Sequence, residues 1–180
     1  MLVVAASVIE SLAHAAQPWK DLYDDHTAVS VAVVFVHLAA LLVGGGIALA
    51  TDRATLRAVR GGPAERERHL TELGLTHRAV LGGLLVSFLS GIALFLADVD
   101  TFATSITYWV KMALVALLIL NGVGMTRLEG ALRGRADAED GTALEQSGDA
   151  TLWKRLQVSA GISAALWLAT LLAGVALQSV

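Results

Sequence analysis

Two residues in this chain carry reactive groups in surroundings that oppose them. His37 lies near the middle of an uncharged apolar run, Ala28 to Ala50, and Lys111 lies about five residues into another that begins near Ile106. An imidazole in hydrocarbon has no water to bond, so it needs a hydrogen-bond partner, a ligand or a cavity, and an ionisable group inside a membrane marks a functional site by default. A neutral imidazole ligates metals, haem iron among them, and handles protons. At ~1.5 Å per residue, His37 lies ~15 Å and Lys111 ~8 Å from the same end, so the two groups can approach one another. Each also has a plainer reading. His37 satisfies itself with a hydrogen bond to a serine or a backbone carbonyl, and Lys111 snorkels, lifting its ammonium to the interface beside Tyr108, Trp109 and nearby acidic residues.

The elements that must position these groups are spans. Apolar runs at about 28–50, 78–97, 106–127 and 155–177 are each near the length that crosses a ~30 Å hydrocarbon core. With 56% hydrophobic and 16% charged residues, the chain is too apolar for an ordinary soluble domain. The expected fold is all-α: a single domain, 1–180, forming an integral membrane four-helix bundle with a short N-terminal interfacial helix. The absence of cysteine excludes disulfides, thiolate metal sites and cysteine nucleophiles. No repeat, nucleotide-binding glycine loop or nucleic-acid module is present. The expected partners are therefore the lipid bilayer and either a second copy or another membrane protein, with no nucleic acid.

Residues 1–17 place Leu2, Ala5, Ile9, Leu12, Ala13 and Ala16 on one helical face and Ser7, Glu10, Ser11, His14 and Gln17 on the other, the pattern of a helix lying in the membrane surface. A cleaved signal peptide is the rival, on the small residues of Ala13-His14-Ala15, against the missing basic region and Glu10. Pro18 and Trp19 are expected to end this helix. Charge then sets orientation. The connector 51–77 with its border carries Arg53, Arg57, Arg60, Arg66, Arg68 and Arg78, the connector 128–154 with its borders carries Arg127, Arg133, Arg135, Lys154 and Arg155, and the stretch from Asp98 to Thr107 has no basic residue. The positive-inside rule places both basic connectors in the cytoplasm and both termini outside. The first connector reads as helical on either side of a break at Gly61, Gly62 and Pro63, with Glu65, Arg66, Glu67 and Arg68 forming a solvated face. The other, from Gly130 to Thr151, reads as a mobile linker.

Small and polar residues recur along one stripe of each span: Ser30, His37 and Gly44; Gly83, Ser87, Ser90 and Gly91; Lys111 and Gly122, with Asn121 one residue off the line; and Ser159, Ser163, Thr170 and Gly174. Helices associate in lipid through such residues, so these stripes face inward, and close packing is the plain reading of each. Gly44, two turns from His37, leaves room for a flat ligand on the other reading. His77 is the obvious second axial ligand, but it lies at the end of its span while His37 is near mid-depth. It is read as a helix-entry residue, leaving His37 alone or with a group from the third span.

The pattern of His37, the glycines Gly44 to Gly46 and Arg53 resembles the opening of the four-helix protoporphyrinogen-oxidase-like (HemJ) and CopD-like membrane proteins. Trp109 and Lys111 ahead of Leu114 and Val115 resemble their third helix, and Gly82, Gly83, Ser90 and Gly91 are compatible with their second. The resemblance covers roughly Val33 to Met125. This sequence differs in having Gly44 in place of a tryptophan, Asp52 in place of a proline, and no histidine after Asn121-Gly122. The resemblance implies a b-type haem or porphyrin in the bundle of a bacterial inner-membrane protein with a redox or porphyrin-handling role. It implies that His37 ligates the iron, that Lys111 is the second functional and catalytic residue, and that Gly44 and Arg53 help hold the cofactor. CopD-like metal transport would need a soft-metal path, for which Met1, Met112 and Met125 are few and scattered, although His14 and His26 add weak ligands. A non-catalytic membrane subunit or scaffold is the reading from a different class.

Overall fold

The computed structural model describes residues 2–136 and 143–177, without the side chains of 2–6, 74, 75, 77, 136 and 143–147. Among the described residues there are six helices: α1 (Leu2–Asp25), α2 (Thr27–Arg60), α3 (Pro63–Ala97), α4 (Val99–Thr104), α5 (Ile106–Ala136) and α6 (Ala143–Leu177). Four stretches are long and apolar enough to cross a membrane: Thr27–Arg60, Arg78–Ala97, Ile106–Arg135 and Gly148–Leu177. These agree with the four expected runs, and the expected break between α2 and α3 is present. Gly61 caps α2 with its N–H on Arg57 O and Ala58 O, Gly62 is extended, and Pro63 opens α3. Proline suits that first helical position because its missing N–H would have had no helical partner there.

Three boundaries differ from the sequence reading. α1 runs through Pro18 to Asp25 instead of ending at 17. An interior proline costs ~3 kcal/mol. Here the Trp19 indole N–H donates to Ala93 O of α3 at 2.8 Å and its ring lies 6.3 Å from that of Tyr23, so docking holds the last turns of α1. The supposed linker from Gly130 to Thr151 is helical over 130–136 and 143–151, while 137–142 lie outside the described residues. The short α4 fills the connector after α3, with the Asp98 carboxylate accepting from Thr101 N at 3.3 Å.

The long helices pack in the order α3, α2, α6, α5. Between α2 and α3 the contact is glycine on glycine. A Cβ added to Gly83 would lie 2.8 Å from Gly44 Cα, so only a residue without a side chain lets these backbones approach. α2 meets α6 where Trp167 lies against Gly45. α5 and α6 are joined by a reciprocal pair in which Asn121 Nδ2 donates to Ser159 O at 3.1 Å and Ser159 Oγ donates to Asn121 Oδ1 at 2.8 Å. At the basic end, the one bearing Gly61, a buried cluster of Ala58, Leu70, Leu73, Met125, Leu132, Trp153, Leu156 and Ala160 joins all four helices. α3 and α5 join at their two extremities. Phe95 stacks on Tyr108 with centroids 5.2 Å apart at the acidic end, and an Arg133 Nη2 donates to Leu70 O at 2.8 Å at the basic end. Between these ties a cleft separates them.

Beside the basic-end cluster, the Thr55 hydroxyl donates its one proton to Thr51 O at 3.0 Å, so its oxygen accepts from His69 Nε2–H at 2.8 Å. Burial holds the His69 imidazole below the ordinary histidine range, and the nearby Glu72 carboxylate pulls it part of the way back. The folded chain therefore binds this proton less tightly than the unfolded chain. His69's contribution to stability is complete above the unfolded value of ~6.5 and is lost as pH falls below it. The melting temperature of the detergent-solubilised protein is expected to drop on acidification through that window, and His69→Gln, which keeps a donor to Thr55, should flatten the drop. Equal pH slopes in the two proteins would dismiss His69 as the cause.

Candidate functional site

The cleft between α3 and α5 has a volume of about 640 Å³, within the range of small-molecule sites, and its walls come from α2, α3, α5 and α6. Leucine, valine, isoleucine and phenylalanine side chains make most of the surface. The polar lining includes Lys111 and Thr170 toward the acidic end, His37, Ser87 and Ser163 near mid-depth, and Thr51, Asp52, Thr76 and Thr126 toward the basic end. The inward stripes of the sequence are therefore largely real. His37, Ser87, Ser90, Ser163 and Thr170 are all buried.

The imidazole of His37 is held by α3. Its Nδ1 lies 3.0 Å from Ser87 O and 3.0 Å from Ser90 Oγ. A carbonyl can only accept, and Ser90 Oγ donates its own proton to Val86 O at 2.7 Å, so both partners require the proton to sit on Nδ1. The neutral ring is then left with a lone pair on Nε2, which is buried and has no hydrogen-bond partner among the described residues. Gly91 lies beside the ring, where a Cβ would make an ordinary contact of 3.4 Å with His37 Cε1. The hydrogen bond to serine and carbonyl expected as the plain reading is thus present, and it leaves the second nitrogen unused. In this conformation Nε2 is covered, so an incoming group must displace the side chains around it.

Lys111 reaches from α5 onto the neighbouring α6. Its ammonium rests against α6, where a Cβ on Gly174 would lie 3.6 Å from Nζ. Among the described residues no carboxylate pairs with it. One turn further along α6, the Thr170 hydroxyl is buried and also lacks a hydrogen-bond partner. Counting ~1.5 Å per residue from the helix ends, Lys111 lies ~8 Å along α5, Thr170 ~10 Å along α6 and His37 ~15 Å along α2.

Not every expected site residue joins them. The space beside Gly44 is filled by the Gly83 backbone and holds no flat ligand, because the two glycines serve helix contact. Arg53 is exposed on α2 and does not line the cleft. The side chain of His77 lies outside the described residues. His14 and His26 are exposed, and among the described residues no group of three or more His, Cys, Asp or Glu could hold a metal ion. The sequence reading missed Asp52 and Thr55. They continue the His37 stripe through Ala48 at helical spacing, and all three are buried, so the signal was there.

Among the described residues, this arrangement offers a fixed lone pair, an ammonium without a counter-ion and a hydroxyl without an acceptor, in a largely apolar slot. A solitary histidine can serve a metal only where the metal arrives with the rest of its ligands, as iron does in a porphyrin. Axial histidines are characteristically oriented through the second ring nitrogen by a carbonyl or a similar acceptor, which is how His37 is held. The donor set thus fits a haem. Comparison with protein-family models, with curated proteins and with solved structures finds no match for this chain.

Proposed function

We infer that this chain is a four-span integral membrane protein that binds a b-type haem or porphyrin in the cleft between α3 and α5. Its basic end faces the cytoplasm, its termini face out, and α1 lies along the outer interface. The outward faces of α2, α3, α5 and α6 carry exposed leucine, valine, isoleucine and phenylalanine in a pattern suited to lipid, and the basic residues cluster at one end. The observation that carries the cofactor reading is His37, with Nδ1–H committed to α3 and Nε2 bare. Bound haem supplies one-electron redox chemistry, and the chain supplies orientation and a dry slot. Ser87 and Ser90 fix the ring, Gly91 lies beside it, and the apolar walls exclude water. The resemblance to the HemJ and CopD-like proteins supports the same reading.

The test is an absorption spectrum of the detergent-purified protein, reconstituted with haem where needed. A Soret band that His37→Ala abolishes or shifts is expected, with Ser90→Ala giving a smaller shift because Ser87 O still holds the ring. A preparation that stays colourless after haem addition and co-purifies with another membrane protein would replace this reading with the scaffold.

A further inference from the structure

We propose that Lys111 and Thr170 form a carboxylate receptor, and that its ligand reaches it sideways from the bilayer through the gap between α3 and α5. The proposal rests on the membrane placement above and deepens the porphyrin reading by assigning the group that recognises the ligand's acidic arm. Lys111 brings an ammonium with three N–H donors, Thr170 brings a hydroxyl, and neither has an acceptor among the described residues. Both line the same slot. The ammonium lies against Gly174, one turn from Thr170 on α6. Donors and positive charge in an apolar setting call for a group that only accepts and carries the opposite charge, and a carboxylate does both. By residue count along the helices the receptor lies nearer the acidic end than His37, on the side to which a carboxylate arm on the rim of a macrocycle would extend.

The route follows from which residues close the cleft. At the acidic end, Tyr108 is stacked on Phe95 and tilted against Phe102 with centroids 5.8 Å apart, an aromatic plug between the receptor and water. Along the flank, Leu81, Leu85 and Phe88 of α3 and Ile119 of α5 line the cleft and yet remain about half exposed, so the opening there is apolar. An amphiphile dissolved in lipid meets no polar barrier on that side, whereas a water-soluble carboxylate would have to pass the plug.

The test uses the full chain in lipid nanodiscs, with iron-free protoporphyrin, its dimethyl ester and haem as probes. The free acid is expected to bind about 10- to 100-fold more tightly than the ester, the usual range for a charge-assisted hydrogen-bonded contact. Lys111→Met should bring that ratio close to one, and Thr170→Val should reduce it by less. Leu85→Trp, placed in the apolar mouth, should slow uptake from preloaded vesicles several-fold. Equal binding of acid and ester by the natural chain, or an unchanged ratio in Lys111→Met, overturns the receptor, and an unchanged uptake rate in Leu85→Trp overturns the route. Because the acid-to-ester ratio involves no iron, it is read separately from the Soret band. An acid preference without a His37-dependent Soret band keeps the receptor and removes the haem, and the reverse result keeps the haem and removes the receptor.

Discussion

Gly83→Leu is expected to give little or no folded protein, because it drives a side chain into backbone. The Cβ position at Gly83 lies 2.8 Å from Gly44 Cα, 3.1 Å from Gly44 N and 3.2 Å from Ala40 O, and none of these atoms can swing aside as a side-chain terminus would. Even Gly83→Ala forces α2 and α3 apart, and overpacking of this kind costs ~1–3 kcal/mol. The separation reaches the site, since Ser87 and Ser90 lie one and two turns further along α3 and hold His37 through bonds of 3.0 Å. Gly82→Ala is the control, because nothing lies within 4 Å of its Cβ position. Melting temperatures in detergent should fall clearly for Gly83→Ala and stay near the natural value for Gly82→Ala. Matching values for the two alanine variants would refute a close α2–α3 contact.

Leu156→Ala is expected to be the most damaging truncation at the basic end. Leu156 is 0% exposed and sits in the cluster with Leu70, Leu73, Met125, Leu132 and Trp153. Emptying such a site costs ~2–5 kcal/mol, made up of the lost transfer energy and the cavity left behind. Val158→Ala, two residues along the same helix but 55% exposed, should be close to neutral. Thermal denaturation of the two variants decides the matter. A Leu156→Ala midpoint no lower than that of Val158→Ala would mean the helix ends beyond the apolar runs do not pack as described.

These two sites also show where reading the sequence succeeds and where it stops. The four apolar stretches were legible because hydropathy is a local sum, and the break at Gly61, Gly62 and Pro63 because glycine and proline act on their own backbone. The end of α1 was not legible. Pro18 argues locally for termination, and what overrides it is a bond from Trp19 to Ala93, 74 residues away. The extensions of α5 and α6 were missed for a related reason. Leu128 and Leu132 on one side, and Leu152 and Trp153 on the other, give each segment too short a stripe to recognise alone, and they make sense only against one another. At the candidate site the inward face of α2 was readable from His37, Gly44 and their spacing. What each does was not, since Gly44's neighbour and the partners of Nδ1 lie on α3, which no period along α2 reports.

The order α3, α2, α6, α5 makes the molecule resemble a half-open book, with α2 and α6 as the spine and α3 and α5 as the free edges of its covers. Swinging the covers apart would break the Phe95–Tyr108 stack and the Arg133–Leu70 tie and would also pull Leu70 and Leu73 out of the core they share with Met125 and Leu132. The covers are therefore pinned top and bottom, and the Trp167 ring bearing on Gly45 marks the spine.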